Sequence, residues 1–334
     1  MEQMRKHPYD HKGYEDAIIV EMESIKARGV LEPVDVKTAF LHANLDKELY
    51  VRVPTDLPCG GGTFRLRKAI YGIKQASRAW YKHLKGIMEG MGFHQSTADP
   101  GVYLKDAGTD QMVVVVTWVD DIVIASKQLH LVEEVEHGLE KDMQIKKQGD
   151  LKHHLGMEIQ RQGNKILPTQ KTYIEDVLYR FGMKSCMGQK VPMNSMNSKV
   201  KVTREAGEKL DKDGLRLYQE KVGSLQYLAT CTRPDISFEV GLLGRFCKCP
   251  TTFHMELADQ VLLYIAWTRD MGLKFGGRKP NFIAYSDSDF GGETDVRRST
   301  TGFVCILNGG AVDWNSRLQQ TVAVSTYEAE YQVA

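Results

Sequence analysis

Two adjacent aspartates, Asp120 and Asp121, stand between dense apolar runs in VVVVTWVDDIVIAS, from Val113 to Ser126. Asp is a poor strand former and is rarely buried alone, whereas Val113–Trp118 and Ile122–Ala125 read as two short strands. The segment therefore predicts a hairpin carrying both carboxylates at its tip. Neighbouring carboxylates repel, so one is pushed toward protonation unless a cation neutralises both. Mg²⁺ does this well, because it is a hard ion that prefers carboxylate oxygen and keeps positions for phosphate groups. An Asp-Asp pair by itself is more often a solvated acidic turn, and it is the apolar flanks that argue against that here. A third acid, Asp35, lies in a run from Val34 to Phe40 that reads as a strand. One acid on a strand beside a hairpin bearing two more is a sufficient arrangement for nucleotidyl transfer, where three carboxylates surround two metal ions.

The elements that must position these acids follow from periodicity. A helix is predicted from Tyr14 to about Arg28, stopped by Gly29. A long amphipathic helix is predicted from Lys74 to Met91, ending at Gly92. Ala76, Trp80, Leu84, Ile87 and Met91 make its apolar face, while Lys74, Arg78, Lys82 and Lys85 form a basic stripe that suits either backbone phosphate or solvent. After the acidic hairpin come a charged helix from about Leu129 to Met143 and a second hairpin, Leu155–Arg161 with Lys165–Pro168. A short helix follows at Tyr173–Phe181. Ser185–Asp213 is polar and reads as a linker. Leu215–Met271 reads as helical, interrupted at Arg233-Pro234 and Cys249-Pro250. Asn281–Asp287, Gly302–Leu307 and Gly310–Trp314 read as strands, and a helix begins at Ser325.

Composition bounds the answer more loosely. The 334 residues, 42% hydrophobic and 26% charged, allow two or three globular domains. A net charge of +1 gives no global basic signature, so any nucleic-acid surface must be local. The six cysteines lack the spacing of a zinc site and read as reduced thiols. The polar start and the lack of an eighteen-residue apolar run predict an intracellular, cytoplasmic protein.

Several long blocks resemble copia-type retrotransposon Pol polyproteins, in family order. VDVKTAFLHANLDKELYVRVP (Val34–Pro54) resembles the first palm motif of their reverse transcriptase, and RLRKAIYGIKQASRAWYKHL (Arg65–Leu84) the next block. WVDD at Trp118–Asp121 resembles the metal-binding hairpin, and LGMEI at Leu155–Ile159 the segment that grips the primer end. CTRPDISFEVGLLGRF (Cys231–Phe246) resembles the connection. AYSDSDFGGETDVRRSTTGFV and STYEAEYQVA resemble the start of the ribonuclease H domain.

The resemblance implies an RNA-directed DNA polymerase using Mg²⁺ or Mn²⁺, an RNA template, a DNA primer and deoxynucleoside triphosphates, alongside other Pol and Gag products of the element. It implies that Asp35, Asp120 and Asp121 hold the polymerase metals. Phe40 then falls at a steric gate that would clash with a ribose 2′-hydroxyl. Gln75, Lys74, Arg78 and Trp118 fall among substrate contacts, and Asp287 and Glu330 at two ribonuclease H acids that bind metal. Asp289 and Glu328 are expected to face elsewhere. The implied fold is α+β: a palm of antiparallel sheet backed by helices, a helical thumb and connection, and a partial ribonuclease H-like α/β domain. The expected layout is a residual N-terminal helix (1–33), palm (34–168), thumb-like helix (169–184), linker (185–213), helical connection (214–279) and truncated ribonuclease H-like domain (280–334).

The chain also departs from the family pattern. Trp118 replaces the usual tyrosine of the hairpin motif, and Ser77 the usual proline of its block. Only 34 residues precede Asp35, so the fingers are expected to be largely absent, with Lys26 and Arg28 poor substitutes for their cations. The sequence stops before further ribonuclease H acids, so that activity is expected to be lacking. The alternative to an active polymerase is an inactive or domesticated remnant that retains only nucleic-acid or protein binding. A third reading is an interaction module that docks onto intact copies of the element.

Overall fold

The computed structural model describes residues 30–53, 61–193, 202–203, 205–276, 282–293 and 295–333. The helix expected over Tyr14–Arg28 lies outside them. The chain divides into two compact units, Met1–Leu151 and Lys152–Ala334. Both combine antiparallel sheets with helices, as an α+β protein should. No helix among the described residues is long and apolar enough to cross a membrane.

The first unit holds β1 (Val30–Val36), α1 (Ala39–His42), β2 (Asn44–Val53), β3 (Gly62–Lys68), α2 (Ala76–Gly90), β4 (His94–Gln95), β5 (Val102–Lys105), β6 (Val113–Trp118), β7 (Asp121–Ser126), α3 (Leu129–Glu140) and β8 (Ile145–Lys147). Six strands form one antiparallel sheet in the order β4-β5-β6-β7-β1-β8. β2 and β3 make a separate hairpin.

Strand alternation divides the residues of this sheet between its two faces. Val34, Val36, Val113, Val115, Ile122 and Ile124 share one face and pack in a common core with Trp80, Leu84 and Met88 of α2 and Val132, Val135 and Leu139 of α3. Each such side chain, fully buried, contributes about 1.5–3 kcal/mol. Asp35 and Asp121 alternate with those valines and isoleucines, so they occupy the opposite face, away from the helices.

Two expectations shift here. The strand predicted over Val34–Phe40 ends at Val36, because Thr38 turns the chain in a left-handed conformation (φ 54°) into α1. Phe40 is therefore helical. The helix predicted from Lys74 starts at Ala76 with Gln75 as its N-cap, which leaves Lys74 outside it.

The second unit contains β9 (His153–His154), β10 (Met157–Gln162), β11 (Lys165–Thr169), α4 (Lys171–Arg180), α5 (Lys212–Cys231), a 3-10 turn at Pro234–Ile236, α6 (Ser237–Gly244), α7 (Thr252–Trp267), β12 (Phe275–Gly276), β13 (Phe282–Ser288), β14 (Thr300–Leu307), β15 (Gly310–Leu318) and α8 (Thr326–Tyr331). Its sheets run β12-β11-β10-β9 and β13-β14-β15, and α4 to α7 share a second core. The division falls after Leu151, and the hairpin of β10 and β11 lies in this second unit. The described parts of 185–213 are tied down along α7. Gln189 N–H donates to Leu263 O at 3.2 Å, Leu210 N–H to Pro250 O at 3.2 Å, and Thr252 N–H to Glu208 O at 2.8 Å. Backbone pairing of this kind leaves no apolar signature, which is why composition alone reads as linker.

Candidate active site

Asp35 on β1 stands directly across the ladder from Asp121 on β7, and Asp120 immediately precedes Asp121. On the other side of β1, Lys146 of β8 is the register partner of Asp35. Directly opposed residues project from the same face. Asp121, Asp35 and Lys146 therefore form one row on the sheet face opposite the helices, an ammonium beside two carboxylates.

A two-residue turn, Val119–Asp120, closes the hairpin, with Trp118 paired to Asp121. Val119 has φ 55° and Asp120 has no positive φ. That is the pattern of a type II′ connection, whose first central position normally belongs to glycine. A β-branched residue there is strained by about 1–3 kcal/mol. Both turn carbonyls are held from below: the Trp80 indole N–H donates to Val119 O at 2.6 Å, and Val36 N–H donates to Asp120 O at 3.0 Å.

Tyr71 was not singled out by sequence, although it lies inside the block that nominated Gln75. Its hydroxyl donates to Asp120 Oδ2 at 3.5 Å. Its ring meets Phe40 edge-on, with centroids 4.4 Å apart at 63°. Partial burial, then the charge and hydrogen bond of Asp120, then the charge of Asp35 raise the phenol above its ordinary pKa. The signal available in the sequence was an aromatic hydroxyl four residues before Gln75.

Phe40 is 7% exposed and belongs to the core. Trp118 is 62% exposed at the hairpin. Gln75 and Arg78 line a separate hollow of about 390 Å³ with Leu45, Asp46 and Leu49, and none of the three aspartates borders it. The basic stripe is partly neutralised internally, since Lys82 pairs with Asp46 at 2.7 Å and Lys85 with Glu89 at 3.7 Å.

Among the described residues, no group of three or more His, Cys, Asp or Glu side chains is gathered closely enough to hold a metal ion. The donor chemistry still suits a hard divalent cation, because two aspartates oppose each other across a ladder and a third adjoins them.

In the second unit, Asp287 on β13 is exposed opposite Gly302, and Glu330 is exposed on α8, which packs against β13. Their neighbours serve the backbone. Asp289 Oδ1 accepts from Thr300 N–H at 2.7 Å. Glu328 Oε2 accepts from Val324 N–H at 2.7 Å while Ser325 Oγ accepts from Glu328 N–H at 3.1 Å, closing the start of α8.

Residues 18–195 match the family model described as reverse transcriptase (RNA-dependent DNA polymerase). The chain is 36% identical over 307 residues to the Retrovirus-related Pol polyprotein from transposon TNT 1-94 of Nicotiana tabacum, covering 90% of this chain and 23% of that protein. It is 35% identical over 305 residues to the corresponding polyprotein from transposon RE2 of Arabidopsis thaliana, covering 90% of this chain and 20% of that one. The chain thus spans only about a fifth of the length of these plant relatives. It is also 30% identical over 304 residues to the Putative transposon Ty5-1 protein YCL074W of Saccharomyces cerevisiae, covering 89% of this chain and 97% of that protein. The matched blocks hold Asp35 on its strand and Asp120–Asp121 on their hairpin, and on this agreement the chain belongs to the reverse transcriptase family of copia-type retrotransposon Pol polyproteins.

Proposed function

We propose that this chain carries the polymerase centre of an RNA-directed DNA polymerase. The observation that bears most weight is the direct opposition of Asp35 and Asp121, with Asp120 adjoining, on the sheet face opposite the helices. In this reading the first unit is the palm, and the helices and sheets of the second supply thumb, connection and a ribonuclease H-like part.

Asp35, Asp120 and Asp121 would hold Mg²⁺ or Mn²⁺, which when bound lowers the barrier to attack by the primer 3′-hydroxyl and neutralises the triphosphate. The protein's own contribution is positional. The rigid central strands fix Asp35 and Asp121, the held turn fixes Asp120, and Tyr71 orients one of its oxygens. Phe40, backed by the core and by Tyr71, would pack against the sugar and favour deoxynucleotides over ribonucleotides. Trp118 would meet the primer end. Lys74, Gln75 and Arg78 would follow template or incoming nucleotide. Asp287 and Glu330 would belong to a second metal-dependent centre, for RNA strand hydrolysis. RNA template, DNA primer and deoxynucleoside triphosphates are the partners so implied, with other Pol and Gag products in a cytoplasmic particle.

Primer extension on an RNA template with Mg²⁺ or Mn²⁺ tests the reading. Extension by the chain that is lost in Asp120→Asn is expected. Extension undiminished by that substitution, or none from the wild-type chain, overturns it.

A further inference from the structure

We infer that Trp80 is a positioning residue for the aspartate hairpin, holding the strained turn through its indole N–H. The inference rests on the polymerase reading for its functional consequence, but its structural content is independent of it.

Trp80 is 3% exposed and lies on the core face of α2. A buried indole N–H is a donor only and must find an acceptor. It finds Val119 O, on the hairpin turn, at 2.6 Å. Val119 is the strained residue of this turn, at φ 55° with a β-branched side chain. Released from that hydrogen bond, the turn would relax toward a φ that valine prefers and rotate the next peptide, which carries Asp120. Asp120 O, accepting from Val36 N–H, is the second anchor of the turn and ties it to the strand that carries Asp35. Trp80 therefore preserves the relation between the two strands' carboxylates without touching any of them.

The expected signature is a repair that a purely structural role would not show. Trp80→Phe keeps a ring in the core and removes the donor. Glycine at 119 adopts positive φ at no cost, so the turn no longer needs holding. Single-nucleotide addition by the full chain should show kcat about tenfold lower in Trp80→Phe, the worth of one buried hydrogen bond, with primer–template affinity unchanged. Trp80→Phe/Val119→Gly should recover most of that loss. Two readouts need no turnover. In ¹H–¹⁵N spectra of the metal-free protein, the Trp80 indole proton should resist exchange with solvent. In Mn²⁺ titrations followed by water-proton relaxation, affinity should fall severalfold in Trp80→Phe and return in the double variant. If the wild-type chain extends no primer while the Mn²⁺ pattern holds, the polymerase reading fails and the positioning role stands. If the indole proton exchanges freely, or Val119→Gly restores neither kcat nor Mn²⁺ affinity, the positioning role is overturned.

Discussion

Asp35 and Asp121 oppose each other directly across the β1–β7 ladder, so the fold forces two like charges onto one face of its central strands. Like charges in that relation destabilise a sheet by about 0.2–1 kcal/mol. A cation shared between them reverses the sign. Added Mg²⁺ should raise the wild-type melting temperature, the shift rising with the logarithm of its concentration once above Kd, and leave Asp121→Asn nearly unmoved. Equal thermal shifts in the two proteins would place the ion elsewhere.

Phe40 and Tyr71 share an edge-to-face contact beside Asp120, and the two rings should separate by function. Tyr71 is exposed, so Tyr71→Phe should leave folding within about 0.5 kcal/mol of wild type. Its hydroxyl reaches Asp120 over a long hydrogen bond, so the Mg²⁺ needed for half-maximal extension should rise about two- to fivefold. Phe40→Leu keeps most of the core volume at a cost of about 1 kcal/mol, but it removes the flat ring edge. Competition between ribonucleotides and deoxynucleotides should then show weakened selection. Unchanged selection would assign Phe40 to the core alone.

How much of this was legible in sequence depends on the scale of the signal. The Asp120–Asp121 hairpin was readable because apolar runs flank it on both sides, and the strand–helix order of the second unit because its breaks carry Arg233-Pro234 and Cys249-Pro250. The end of β1 is not legible, because it is set by the left-handed backbone of Thr38, and threonine does not advertise that conformation. In sequence, Tyr71 belongs to a motif block and Trp80 to an apolar helix face. Their contacts to Asp120 and Val119 span 49 and 39 residues of chain, and no local periodicity encodes those. The basic stripe on α2 looked continuous until the structure showed Lys82 committed to Asp46.

Glu32, three residues before Asp35 on the same strand, predicts a pH dependence. Burial first, then the charge and hydrogen bond of Glu136, raise its pKa above the ordinary 4.5, with Asp150 and Glu133 adding to the effect. Glu136 is 2% exposed; its Oε2 pairs with Lys147 at 3.0 Å, and its Oε1 has no donor among the described residues. A proton on Glu32 turns the repulsion between the two carboxyls into a hydrogen bond. A raised carboxyl pKa contributes stability that is present below the unfolded value and lost as pH rises through the folded one. Glu32→Gln supplies the donor at every pH, so it should stabilise the protein at pH 7 by about 0.5–1.5 kcal/mol. The gain should vanish below about pH 4.5 in urea titrations across pH. A gain that is constant with pH would mean that the proton is not shared.

Asp235 predicts the opposite slope. Burial alone would raise its carboxyl, but the Arg233 fork and the Tyr264 hydroxyl outweigh that and hold it below its ordinary 3.8. Arg233 is 1% exposed; its Nε and one terminal nitrogen donate to Asp235 at 2.9 and 2.7 Å, and it also bonds Thr268 O at 3.2 Å. Tyr264 O–H donates to Asp235 Oδ2 at 2.8 Å. This network joins the 3-10 turn to the end of α7, so removing the carboxylate charge leaves a buried guanidinium with neutral acceptors alone. Asp235→Asn should cost about 3–5 kcal/mol at pH 7 in urea unfolding. A lowered carboxyl pKa gives stability that is present above the unfolded value and lost as pH falls through the folded one. The wild-type advantage should therefore persist down to about pH 3.8 and close only below it. Arg233→Lys keeps the charge but loses the two-pronged donation, and it should recover only part of the difference. Full stability in that variant would show that charge, rather than the fork, holds the turn to the helix.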